Sequence, residues 1–270
     1  MAIEKAFIVP HPPLIVPKIG RGQEKKIKST IDAYHMIAKE IGEIQPDTVI
    51  ITSPHTMMYG DYFHISPGKT AQGSFASFGA PEVAFEVDYD HQLAKKIAEH
   101  AQTLDVQAGF RGERDKKLDH GVMVPLYFID QYLSDYQIVR IGLSGLSFKK
   151  HHQFGEAIKA AVNDARRRVV FVASGDLSHR LKQEGPYGFV KEGPVFDEKV
   201  VDCLKQNNLE DLMNIEPSLV EKAGECGLRS FIIMTGALEG ENTHSELHSY
   251  EGPFGVGYAV AGVTPDHSNS

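Results

Sequence analysis

Six histidines sit just beyond short apolar runs, in small turn-like clusters. They are His11 in VPHPP, His55 in TSPH, His120 in LDHG and His179 in SGDLSH, with His64 and His244 less firmly placed. Imidazole is a common metal ligand and the usual general base near neutral pH. One such histidine carries little weight; several on loops after strand-like segments point to a shared pocket. Glu225 and Cys226, adjacent in AGECGLRS, add a carboxylate and a thiol to the ligand candidates.

Each candidate has a duller reading. Pro10, Pro12 and Pro13 stiffen the loop around His11, which suits a ligand but also describes an ordinary surface loop. Pro54 holds the residue before it extended, so the chain runs straight from its strand to His55. His120 lies beside Asp119, a capping residue, and a neutral imidazole at a helix N-terminus suits hydrogen-bond donation to an oxyanion. In SGDLSH, Gly175, Asp176 and Ser178 are good turn formers, and His179 is the acid/base candidate with Asp176 orienting it. Glu225 in the first turn of an apolar helix is also ordinary dipole complementation. His35, His91 and His100 fall on helical segments as packing or surface residues, and His151 and His152 read as solvated residues opening a helix.

The positioning elements alternate. Strand-like runs occupy 6–10 (AFIVP), 48–53 (TVIITS), 106–110 (weakly), 137–144, 169–174 (VVFVAS), 245–250 and 255–263. Helical periodicity covers 23–43, 89–101, about 150–166, 194–206 and 225–238. This predicts an α/β fold: a mixed, mostly parallel central sheet covered by helices on both faces. Residues 58–88, rich in Gly, Ser, Phe and Tyr, read as an antiparallel excursion from that sheet. One domain over 1–264 and a loose tail over 265–270 are expected. In open α/β sheets ligands collect beyond the carboxyl ends of the strands. Three strands here deliver His11, His55 and Asp176/His179 to one such edge.

Composition narrows the function classes. A net charge of −8 argues against extended nucleic-acid binding, which needs a positive surface. Two cysteines, Cys203 and Cys226, do not make a secreted disulfide framework. Neither a signal peptide nor an apolar run of membrane-spanning length is present, so no membrane role and a cytoplasmic location are expected. G-x-S-x-G, P-loop and C-x-x-C motifs are lacking as well.

The ordered set HPP, SPH, DHG-V-PL, SGDLSH and GECGLRSF, spread from His11 to about Gly240, resembles the class III extradiol ring-cleavage dioxygenases. This LigB-like superfamily also includes Memo-like proteins. The resemblance implies a non-haem Fe(II) site with His11, His55 and Glu225 as ligands. It makes His179 the acid/base and His120 a supporting residue at the substrate or oxygen. The implied reaction opens a catecholic ring with O2, giving a ring-opened semialdehyde. Zn(II) binds similar ligands. In Memo-like relatives a cysteine stands near the carboxylate position, so Glu225 and Cys226 compete for the third place. Two alternatives follow: a Memo-like binding module, acting as a homo-oligomer or beside a radical-chemistry partner protein, and a zinc-dependent hydrolase.

Overall fold

The computed structural model describes residues 2–266. The chain runs β1 (Ile3–Val9), α1 (Pro17–Gly20), α2 (Lys28–Ile44), β2 (Thr48–Ser53), β3 (Phe63–His64), β4 (Thr70–Phe75), β5 (Ala80–Asp88), α3 (His91–Thr103), β6 (Ala108–Gly109) and α4 (His120–Ile129). It continues with β7 (Gln137–Gly142), α5 (Phe148–Ala165), β8 (Val169–Ser174), α6 (Glu192–Lys205), α7 (Pro217–Ala223), α8 (Leu228–Ala237), β9 (Thr243–Glu251) and β10 (Tyr258–Pro265). Six strands form the central sheet in the order β7-β2-β8-β1-β10-β9. The first four are parallel; β10 and β9 close one edge antiparallel.

Every residue of β2 and β8 is buried, as expected of central strands covered on both faces. Their side chains alternate between two cores. Ala6, Ile8, Ile50, Phe171 and Ala173 face one layer, which contains α3, α5, α6 and α8. Phe7, Val9, Val49, Ile51, Val170 and Val172 face the other, built from α2, α4 and the β4–β5 hairpin. The period of two along each strand therefore divides one β-branched sequence between two apolar layers.

Several boundaries differ from the sequence expectation. A 3-10 turn over Gln23–Ile27 precedes α2, because Ile27, with φ −116° and ψ 42°, leaves the helical region and interrupts the run. The weak strand at 106–110 shrinks to Ala108–Gly109, paired with β3 in a separate two-stranded parallel sheet. β4 and β5 form their own antiparallel sheet, so the mixed character of the central sheet comes from β9 and β10 instead. The helix expected from 225 begins at Leu228. Pro265 still pairs with Thr243, and Asp266 N–H donates to the Asn242 carbonyl at 2.7 Å. Residues 265 and 266, expected in a loose tail, are thus held by the sheet edge, and 267–270 lie outside the described residues.

Candidate metal centre

Register brings the site together. β1 and β2 both pair in parallel with β8, with Val9 opposite Ser174 and Thr52 opposite Ala173. His11, His55 and Asp176 each lie two residues past a strand end, so three neighbouring strands about 4.8 Å apart deliver them to one edge. The turn before α8 closes the site from the side. It packs tightly: a Cβ on Gly175 would stand 2.1 Å from Gly227 Cα. Only glycine at both positions allows Cys226 to press against the end of β8.

Two groups of metal-capable donors result among the described residues: His11, His55 and Cys226; and Asp176, His179 and Cys226. The Nε2 atoms of His11 and His55 are 3.1 Å apart, and Cys226 Sγ is 3.6 Å from His11 Nε2. Two nitrogens each about 2.0–2.1 Å from one ion, at near right angles, stand about 3 Å apart. The donor spacing therefore fits an ion. Asp176 braces this arrangement. Its Oδ1 accepts the His11 N–H at 2.8 Å, its own N–H donates to Cys226 Sγ at 3.2 Å, and its carbonyl accepts the Cys226 N–H at 3.3 Å.

The tautomer of His11 follows from the hydrogen bonds. Pro125 lies inside α4 and has no N–H, so the Gly121 carbonyl four residues earlier lacks its helical donor. The Ser174 hydroxyl donates to that carbonyl at 2.6 Å. Its oxygen, 2.9 Å from His11 Nδ1, must then accept from an Nδ1–H. His11 Nε2 consequently presents a bare lone pair to the site. A partner on the second ring nitrogen is the usual device for orienting a ligating imidazole.

Burial sets the protonation states. It pushes the His11 and His120 imidazoles down to about 3, aided in both by the neighbouring His55. Burial also lowers His55 and His179. The four rings are thus neutral at pH 7 and offer lone pairs rather than charge. Burial raises Asp176 to about 6 and holds the Cys226 thiol well above its usual value. A cation is what would draw the thiol proton off, because metal binding and deprotonation are linked.

His120 starts α4 with its ring centroid 4.0 Å from that of His55 and 5.4 Å from that of His11. Asp119 does not cap the helix. Its carboxylate accepts from Ser53 Oγ and Thr56 Oγ1, each at 2.6 Å, and so fixes the turn that carries His55. His179 lies with its ring 5.2 Å from Tyr187, and Phe78 stands edge-on to His120 at 5.4 Å. Both aromatic rings are exposed. A cleft of about 900 Å³ between the β4–β5 hairpin and the start of α4 reaches His120, with Phe78, Phe85, Leu118 and Met123 in its lining.

Glu225, expected as the third ligand, is engaged at the start of α8. Its Oε2 accepts the Leu228 N–H at 2.6 Å at the start of α8, where burial raises the carboxyl to about 7. It is in neither donor group, and the side chain beside His11 is that of Cys226. His64 and His244 are elsewhere: His64 donates to the Arg111 carbonyl, and His244 pairs with Thr264 on β9. His151, expected in solvent, is fully buried between Ser144 N–H and the Ser147 carbonyl. Ser174 and Tyr187 were not singled out from the sequence. The serine ending the apolar run VVFVAS was a usable signal; Tyr187, in an irregular loop, offered none.

The family model described as the catalytic LigB subunit of aromatic ring-opening dioxygenase matches residues 5–261. The chain belongs to the LigB family. Among curated relatives of this LigB protein, Protein CA_C1420 of Clostridium acetobutylicum is 41% identical over 96% of the chain, which spans 57% of that relative's length. An Escherichia coli 3,4-dihydroxyphenylacetate 2,3-dioxygenase is 25% identical over 78% of the chain and 80% of its own length. A MEMO1 family protein of Thermococcus onnurineus is 27% identical over 74% of the chain and 69% of its length. The crystal structure of an uncharacterized Escherichia coli K12 protein, JW3007, superposes with a TM-score of 0.58 at 16% identity. It covers 97% of this chain and 99% of the other, and shows the shared fold. Among the described residues, no helix of the LigB chain is long and apolar enough to cross a membrane.

Proposed function

We propose that this LigB protein is a metal-dependent oxygenase that opens an aromatic diol ring with O2, with Fe(II) held by His11, His55 and Cys226. The observation that carries this reading is the convergence of the His11 and His55 Nε2 atoms, 3.1 Å apart, at an edge flanked by two further neutral imidazoles. When bound, the ion supplies Lewis acidity and one-electron chemistry to a diol and O2 held side by side. The chain's own residues do the rest. His179, kept neutral by burial, accepts the proton of a diol hydroxyl and returns it later as an acid. His120, also neutral, donates a hydrogen bond where negative charge develops on oxygen. Asp176 holds the His11 backbone and the Cys226 sulfur in place. Phe78 and Tyr187 give the ring apolar walls on the His120 and His179 sides.

Cys226 favours a second reading. A thiolate in place of a carboxylate shifts preference toward softer metals and redox chemistry, and supports a Memo-like metal-binding role without ring cleavage. Oxygen-electrode uptake by anaerobically Fe(II)-loaded protein, over a panel of catechols and an aminophenol, separates the two. Uptake with a yellow ring-opened product supports the oxygenase. Verified iron with no uptake and no product across the panel moves the assignment to the Memo-like reading. Cytoplasmic location belongs to the same proposal.

A further inference from the structure

The first donor group leaves two ligand-capable side chains unspent. Asp176 uses Oδ1 on the His11 N–H, while Oδ2 stands 4.0 Å from His11 Nε2. His179 faces the same space, and its donor atom, an Asp176 oxygen and Cys226 Sγ all lie within 4.8 Å of one another. Cys226 Sγ belongs to both groups. It is held between them by the Asp176 N–H, which donates to the sulfur, and by the Cys226 N–H, which donates to the Asp176 carbonyl.

We propose that Asp176, His179 and Cys226 bind a second metal ion, with the Cys226 thiolate bridging it to the ion at His11 and His55. Two ions each about 2.3 Å from one sulfur stand about 3.5 Å apart, the usual spacing of two-metal sites. The second ion is the weaker. It meets the charge of the first at short range and must share its thiolate, so its affinity falls by about tenfold or more. Donor atoms up to 4.8 Å apart must also close by about an ångström to reach a common ion. The consequence is regulatory: the second ion takes the His179 lone pair that proton transfer requires. Excess borderline metal therefore inhibits. This consequence rests on the oxygenase reading; the second site itself does not.

The test uses the full chain, stripped with chelator and titrated anaerobically with Co(II) alone. Sulfur-to-cobalt charge transfer in the near ultraviolet and bound metal after gel filtration are read together. Two equivalents, the second about tenfold or more weaker, are expected. His179→Ala and Asp176→Asn keep the first equivalent and lose the second, with circular dichroism checking the fold. Cys226→Ser loses the charge-transfer band. Saturation of wild type at one equivalent overturns the proposal, as does a second equivalent that survives both His179→Ala and Asp176→Asn. A parallel oxygen-uptake assay adds Zn(II) to protein carrying one equivalent of Fe(II), where inhibition tracking the second equivalent supports the site. One equivalent with active ring opening leaves the oxygenase standing and removes the second site. Two equivalents with no uptake over the catechol panel does the reverse.

Discussion

Ser174→Ala tests how His11 is prepared for a metal. The hydroxyl makes two buried bonds, accepting from His11 Nδ1 at 2.9 Å and donating to the Gly121 carbonyl at 2.6 Å. Pro125 has removed the donor that a regular helix would offer that carbonyl. Alanine therefore leaves a buried N–H and a buried C=O unpaired in a site with no solvent access, since Ser174 is fully buried. Each unpaired group costs about 1–3 kcal/mol, and some of this relaxes, so a net loss of about 2 kcal/mol is expected. That lowers the Tm by roughly 4–8 °C for a domain of this size. Affinity for the ion falls as well. Loss of the partner that fixes a ligating imidazole costs about 10–100-fold, or about 1.4–2.7 kcal/mol. Anaerobic competition with a coloured chelator measures the affinity, and thermal melts of stripped protein measure the stability. An unchanged affinity beside the expected melting shift would show that Ser174 packs the core without orienting His11. Unchanged values in both would refute the hydrogen-bond reasoning altogether.

Three other outcomes follow from the site and its surroundings. Cys226→Ala should weaken metal binding by at least about 100-fold, whereas Glu225→Gln, which can still accept from Leu228 N–H, should bind nearly as wild type; the opposite order in a chelator competition returns the third-ligand role to Glu225. His179→Ala should keep the His11–His55 ion while turnover drops by about 100–10,000-fold; equal metal loss in His179→Ala and His55→Ala would make His179 an obligatory ligand. Burial raises Asp197 to about 7 although Ser178 N–H and Tyr250 hydroxyl donate to it. The folded state thus binds more protons than the unfolded chain above pH 4. This contribution is full below about pH 4 and lost as pH rises through 7, with a slope of at most about 1.4 kcal/mol per unit. Asp197→Asn should flatten that part of the stability profile in urea melts at pH 5 and 8, and parallel profiles for variant and wild type would contradict it.

The parts of this protein legible in one dimension are those governed by local rules. A β-branched run followed by Pro or Gly and then His reads as a strand delivering a side chain to the sheet edge. That logic places His11, His55, Asp176 and His179 near one another before any contact is known, because parallel strands in register end together. The largely apolar, β-branched runs of β2 and β8 likewise announce a sheet covered on both faces. Three things needed the tertiary structure. The choice between Glu225 and Cys226 turns on how a short turn rotates before α8: neighbouring side chains point different ways, and only the Gly175–Gly227 contact says which one meets His11. The separation of β4–β5 from the central sheet depends on which edges are already paired, and β7 is covered by other segments rather than by the hairpin as a continuous strand. The role of Ser174 arises from Pro125, on a distant helix, through a carbonyl that neither residue's own sequence neighbourhood reveals. Local sequence determines which side chains a strand can deliver; long-range backbone geometry decides which of them converge.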